Sequence, residues 1–357
     1  MNGIQYRRLK PVKGLSDRQI FHFKPHELPC RKYLPMLKSV LFRCYAVFLF
    51  SLAVSTGVAQ EKNTPDTVKA GIYITSIHDI DFKQNEYAIN LWLWLKYRNK
   101  DFDFAQNLEI PQAKSFSKLY TTIDSTGEEI YMLMKLQCLM KDSWKISNFP
   151  FDKQMLRLSF ENSQYDSKSL VFTEDTVGNH YDPRFTLRGW NIDSFSIVNG
   201  IKLYETGFGD ASLNTPHTEY SNLKVRVGIT RDAGGLFWKM FLGMYVAFLI
   251  SFICFFIHAD SIDSRFGLSV GALFAAIGNK YIIDSALPES TTYTLVDTLH
   301  GLTLFFIFAM VSFSVYSLSL IKQNNVAKAD RMDKIAAVVC MAVYILLNYY
   351  FIQNAIG

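Results

Sequence analysis

The sequence predicts an all-β, immunoglobulin-like extracellular sandwich followed by an all-α bundle of four membrane-crossing helices. Three observations carry that prediction. Hydrophobic residues make up 49% of the 357 and charged residues only 19%, too apolar a balance for one water-soluble domain. The mean hydropathy is nevertheless a modest +0.08, so the apolar residues must be concentrated in one part of the chain. The two halves also differ in pattern: short runs of period two come first, then long apolar stretches of membrane-crossing length.

Residues 36–59 read as a secretory signal peptide. Lys38 and Arg43 form a basic start, an apolar run covers 45–54, and the small-residue stretch ends Gly57-Val58-Ala59. The run falls well short of the roughly 20 residues that span a bilayer, which argues against an anchor. Cleavage is expected after Ala59 and initiation at Met36, with 1–35 an over-called start. Much of the net charge of +5 comes from basic residues ahead of Ala59, among them Arg7, Arg8, Lys10 and Lys13, so a nucleic-acid partner is not expected.

From 60 to 232 the pattern is that of strands: 68–80, 87–97, 132–139, 155–160, 195–198 and 223–229. In the second run Ile89, Leu91, Leu93 and Leu95 share one face, with Trp92, Trp94 and Lys96 on the other. Turn residues at 83–85, 124–127, 177–179 and 207–210 punctuate the strands as in an antiparallel sandwich.

From 233 to 357 four spans are expected, at 235–257, 262–283, 297–321 and 335–356. The second differs from the rest. It holds Asp263, Arg265, Asn279 and Lys280 among many small residues, and suits a helix shielded from lipid or lining water. The export signal puts the sandwich outside, and the Lys- and Arg-bearing stretch 322–334 between the third and fourth spans fits an inner loop.

Five cysteines, Cys30, Cys44, Cys138, Cys254 and Cys340, are far apart without a CxxC pair, so neither a disulfide framework nor a zinc site is supported. No HExxH, GxGxxG or P-loop is present. An enzyme is not expected, nor a cofactor.

The string Phe149-Pro150-Phe151-Asp152-Lys153-Gln154, with Trp144 five residues earlier, resembles the signature loop of the pentameric ligand-gated ion channels, the Cys-loop receptor superfamily. Supporting echoes are 80–85 ahead of the Trp92/Trp94 strand, Arg231 before the first span, Arg265 near the start of the second, and Leu287-Pro288 after it. The positions of the family's loop cysteines are Asp142 and Leu156, as in bacterial members that lack the disulfide.

The resemblance implies an integral protein of the bacterial inner membrane, its sandwich in the periplasm or outside. It implies a homopentamer in a lipid bilayer, with a small-molecule ligand or protons and permeant inorganic ions as partners. The loop would press on the linker after the second span, 286–292, and Asp152 would pair with Arg231 and with Asp81 or Glu86. The bland alternative is a structural turn and a generic juxtamembrane arginine. Where amine-binding members carry a cage tryptophan, this chain has Ser163, against a quaternary-ammonium ligand. Tyr165, Tyr204, Phe208 and Tyr220 are candidate pocket residues, or simply packed aromatics.

Anchoring on Arg265 and Pro288 lines the pore with Asp263, Gly267, Gly271, Phe274, Gly278, Ile282 and Ser285, Phe274 being a dewetting gate. A rotated register would instead use Arg265, Ser269, Ala272, Ala276, Asn279 and Ile283. Asp260 and Asp263 at the inner mouth favour cations, with Arg265 and Lys280 opposing. His300 and Asp297 are candidate pH-sensing groups, and His78 beside Asp79 a weaker one. The competing function is a non-conducting membrane-anchored ligand sensor of the same fold.

Overall fold

A computed structural model describes residues 64–210 and 217–357. The expected signal peptide and start site lie outside the described residues. Strands β1 (Asp66–Asp81), β2 (Glu86–Tyr97), β3 (Leu108–Glu109), β4 (Ala113–Asp124), β5 (Ile130–Lys141), β6 (Lys153–Asn162), β7 (Leu170–Glu174), β8 (His180–Tyr181), β9 (Trp190–Tyr204) and β10 (Thr218–Arg231) come first, with one short helix, α1 (Phe104–Asn107), ahead of β3. They form two sheets. One has the order β4-β5-β2-β1-β7, with β8 beside β1; the other is β3-β6-β10-β9.

The alternation in the sequence sets what the sheets bury between them. Ile89, Leu91, Leu93 and Leu95 of β2 are buried, as are Met132, Met134 and Leu136 of β5. Leu156, Leu158 and Phe160 of β6 and Leu223, Val225, Val227 and Ile229 of β10 meet them from the second sheet in one cluster. Burying side chains of this size contributes about 1.5–3 kcal/mol each before conformational entropy is subtracted. Three of the four stretches of turn residues fall between strands and the fourth begins on the last residue of β4, and Asn85 (φ 55°), Gly178 (φ 84°) and Gly209 (φ 84°) adopt the left-handed backbone their turns need.

One long strand escapes the period-two reading. β4 is exposed along most of its length and holds its place through its ladder with β5, so it carries no apolar alternation.

Four helices follow: α2 (Ala233–Phe252), prolonged by a 3₁₀ turn (Ile253–Phe256), α3 (Ile262–Asp284), α4 (Leu295–Lys322) and α5 (Val326–Ile356). Each is long and apolar enough to cross a membrane, so this is an integral membrane protein. A reciprocal Thr294–Asp297 capping box starts α4.

The expected inner loop at 322–334 is much shorter in the structure. Gln323, Asn324 and Asn325 alone separate α4 from α5, Asn324 turning the chain at φ 61°. Lys328, Asp330, Arg331, Asp333 and Lys334 stand on the first turns of α5. A hydropathy run ends where charges begin, but a helix continues while its charges reach water or a partner, and Asp333 has a partner.

On the outer face of the first sheet the Trp94 indole lies across β1 at Gly71, and Trp94 Nε1 and Lys96 Nζ both donate to Asp175, at 2.9 and 2.7 Å. A Cβ at residue 71 would sit 2.2 Å from the indole. Gly71→Ala is therefore expected to displace the ring and destabilise the sandwich by about 1–3 kcal/mol. A lowered Tm with red-shifted tryptophan fluorescence would show it; an unchanged pair of signals would contradict this packing.

Candidate functional site

Three sets of residues were expected to act, at the joint between sandwich and helices, in a pocket on the sandwich, and along α3. At the joint, the end of β10 brings Arg231 against the 149–154 turn. Its guanidinium donates twice to Asp152, Nε to Oδ1 at 2.6 Å and Nη2 to Oδ2 at 3.2 Å. Asp152 is 2% exposed and also accepts from Gln154 Nε2, while Gln154 clamps the Lys145 backbone through both ends of its amide. Three rings surround the same guanidinium, with centroids 4.0 Å (Trp190), 4.6 Å (Phe82) and 4.9 Å (Phe149) away. Phe82 in turn stacks on Trp144 and Trp190.

Neither Asp81 nor Glu86 shares the arginine. The Asp81 carboxylate caps its own turn by accepting from Gln84 N, and Glu86 pairs with Lys114 at 2.8 Å. Aromatic faces take the place expected for a second carboxylate, satisfying the cation by cation–π attraction without burying another anion.

The same turn reaches three helices. Phe151 packs on Phe237 of α2 with centroids 5.5 Å apart. Ser147 O accepts from Leu295 N of α4 at 2.8 Å, and Asn148 Nδ2 donates to Ala355 O of α5 at 3.2 Å. Leu287 is buried in the cluster that also holds Phe149, and Pro288 beside it is half-buried. Phe149, Arg231, Asp81 and Leu287 line one shared cleft.

On the second sheet Tyr204, Phe208 and Tyr220 form a triangle with ring centroids 5.6, 5.7 and 6.5 Å apart. With Glu109, Glu161 and Ser163 they line a cleft of about 290 Å³. Glu161 is 3% exposed and accepts from Tyr204 Oη at 2.8 Å and Asn222 Nδ2 at 3.2 Å. Burial, then the Glu161 bond, holds the Tyr204 phenol well above its ordinary range. Burial, then the Glu161 charge, raises the Glu109 carboxyl. Tyr165 is not in this group; its ring packs on Phe102 at 4.8 Å and its hydroxyl donates to Asp101 O.

The two glutamates went unread in the sequence. Glu161 sits on the odd, outward register of β6, and only the pairing of Leu108–Glu109 with Asn162 and Glu161 brings them together.

Along α3, Asp263, Gly267, Gly271, Phe274, Gly278, Ile282 and Ser285 are all exposed in the single chain. The rotated set turns inward. Ala272 and Ala276 pack with Ala247 and Ile307, Ser269 meets Ser251, and Asn279 donates to Met240 O at 3.1 Å. Arg265, 2% exposed, pairs with Asp333 of α5 at 2.6 Å and donates to Ile257 O, while Ser317 of α4 also donates to Asp333. Lys280 is held by Asp284 and Asp297 at 2.5 and 2.8 Å. His300 is buried between helices, whereas His78 is half-buried beside Asp79.

Arg231→Ala would strand a buried Asp152 carboxylate, and the loss expected is about 3–5 kcal/mol. Arg231→Lys restores charge but not the bidentate, ring-stacked fit, and should recover only part of that stability in a thermal-melt series. Glu109, held above its unfolded value, stays protonated longer in the folded state, so it favours folding below its unfolded range and this contribution fades as pH rises. Glu109→Gln should remove that slope and raise Tm at neutral pH; a pH–Tm curve unaltered by the substitution would contradict the environment described.

No family model matches the chain. A proton-gated ion channel of Gloeobacter violaceus is 21% identical over 307 residues, covering 80% of this chain and 82% of the relative. Gamma-aminobutyric acid receptor subunits gamma-4 of Gallus gallus and gamma-1 of Rattus norvegicus are 21% and 20% identical. The matches cover 69% and 76% of this chain, but only 57% and 61% of those longer subunits. The chain's own two-sheet sandwich and four membrane-length helices, together with its similarity to these channel and receptor proteins, place it with the pentameric ligand-gated ion channels, the Cys-loop receptor superfamily.

Proposed function

We propose that the chain assembles as a homopentamer into an ion channel gated by an extracellular ligand or by protons. The sandwich stands outside a bacterial inner membrane and α3 lines the pore. One observation carries this reading: α3 buries one face against its own chain and leaves bare the face that holds Asp263 and three glycines. It is the least hydrophobic and least buried of the four spans. A Cβ at Gly267, Gly271 or Gly278 would meet nothing within 4 Å, so these glycines do not serve packing inside the subunit. Five copies turned around an axis give such a face water in place of lipid.

The ion pairs bear on selectivity. Arg265 and Lys280, the two cations that would oppose cation flow, are each bound to carboxylates, and Arg265 is withdrawn from the exposed face altogether. Asp260 and Asp263 remain exposed at the inner mouth. Repeated five times they concentrate cations, so the pore is read as cation-selective. Phe274, 69% exposed on this face, is the gate that closes by dewetting. The two glutamates and three rings of the sandwich cleft suit a ligand carrying positive charge. The joint around Arg231 transmits its binding, since the turn that holds Asp152 also touches α2, α4 and α5.

Purified protein in liposomes should run as a pentamer by native mass spectrometry and pass monovalent cations under some condition of pH or amine ligand. Phe274→Ala should leak without stimulus, and Asp263→Asn should lower cation over anion preference several-fold. Vesicles that stay closed under every condition, with Phe274→Ala closed as well, would favour the non-conducting sensor.

A further inference from the structure

His300 makes two polar contacts of the same sense. It is fully buried on α4, with Nδ1 2.9 Å from the Val296 carbonyl and Nε2 3.0 Å from Oδ1 of Asn279 on α3. The other end of that amide, Nδ2, donates to the Met240 carbonyl of α2 at 3.1 Å, which fixes which end faces the ring. Both partners of the imidazole are therefore acceptors. A neutral imidazole offers one donor and one acceptor, and only the protonated ring can donate to both. Space around the amide is tight: a Cβ at Gly243 would lie 3.1 Å from Asn279 Nδ2. Phe241 covers the ring from α2, with centroids 5.6 Å apart. The charged groups acting on it are Lys280 and Asp284 of α3 and Asp297 of α4, and Lys280 is paired with both carboxylates.

We propose that His300, Asn279 and the Met240 carbonyl form a proton-operated clasp joining α2, α3 and α4 near the outer ends of the helices. With the ring protonated the clasp is closed as described. When Nε2 gives its proton to solvent, its lone pair faces Oδ1, and the amide relieves the clash by turning over. Its Nδ2 then donates to the ring, its oxygen faces the Met240 carbonyl, and the bond from α3 to α2 is lost. The proton thus decides whether α3 is tied to one neighbour or two. As a gating device this rests on α3 being the pore helix.

Nitrogen-15 histidine NMR of the full-length protein in liposomes tests the clasp directly, with His300→Gln assigning the resonances. The expected wild-type result is a ring protonated on both nitrogens at acid pH that converts to one tautomer as pH rises. Asn279→Asp should move the conversion up and Asn279→Leu down, each by roughly one pH unit, because a better or absent acceptor changes how firmly the proton is held. The pH profile of cation flux should move in the same order. A neutral ring from pH 4 to 8 overturns the clasp whether or not the protein conducts. Shifted resonances with an unmoved flux profile overturn its role in gating. Normal titration in a protein that passes no ions under any condition, Phe274→Ala included, counts instead against the channel reading.

Discussion

Arg231 carries a full charge between a packed sandwich and a set of membrane helices, where water is scarce and a lone cation would be prohibitive. The structure answers with Asp152 on one side and three aromatic rings on the others. Everything around the joint depends on this solution. Asp152 lies on the turn that touches α2, α4 and α5, and Phe82, Phe149 and Trp190 gather around the guanidinium with Trp144 stacked on Phe82. A buried ion pair of this kind adds little net stability over apolar residues of similar volume; what it supplies is a unique geometry, since any other arrangement strands a charge. That is the property a coupling element needs, because movement at one end must register at the other.

A second buried pair plays the matching part near the other end of the bundle. Arg265 and Asp333 tie α3 to α5, with Ser317 of α4 joining in. Arg265 Nη1 and Asp333 Oδ1 find no hydrogen-bond partner among the described residues. Between the two pairs, small residues of α3, Ala272, Ala276 and Ser269, pack closely on the neighbouring helices, beside Leu273 and the polar contacts of Asn279. The helix proposed to line the pore is thus pinned to its neighbours by polar contacts at Arg265 and Asn279.

Much of this was legible in the sequence, and the failures have physical causes. Period-two alternation marks β2, β5 and β10 because one face of each is buried; β4 lacks such a face and went unseen. Hydropathy located four spans but ended the inner loop too late, since it counts Asp333 as a charge without knowing of Arg265. Tyr204, Phe208 and Tyr220 do converge, while Tyr165 points elsewhere; aromatic type alone carries no direction. Asp81 and Glu86 were plausible partners for Arg231 by charge, yet rings filled that place.

Local pattern thus determined the fold class and the membrane-crossing half, because alternation and span length are written over short stretches of chain, while the 149–154 string pointed to the joint only through a family resemblance. Tertiary structure decided which face of α3 is bare, which cations are neutralised and which acids meet in the cleft. Those outcomes depend on residues far apart in sequence, such as Arg265 with Asp333 and Glu109 with Glu161, whose charges acquire meaning only when packing removes the water between them.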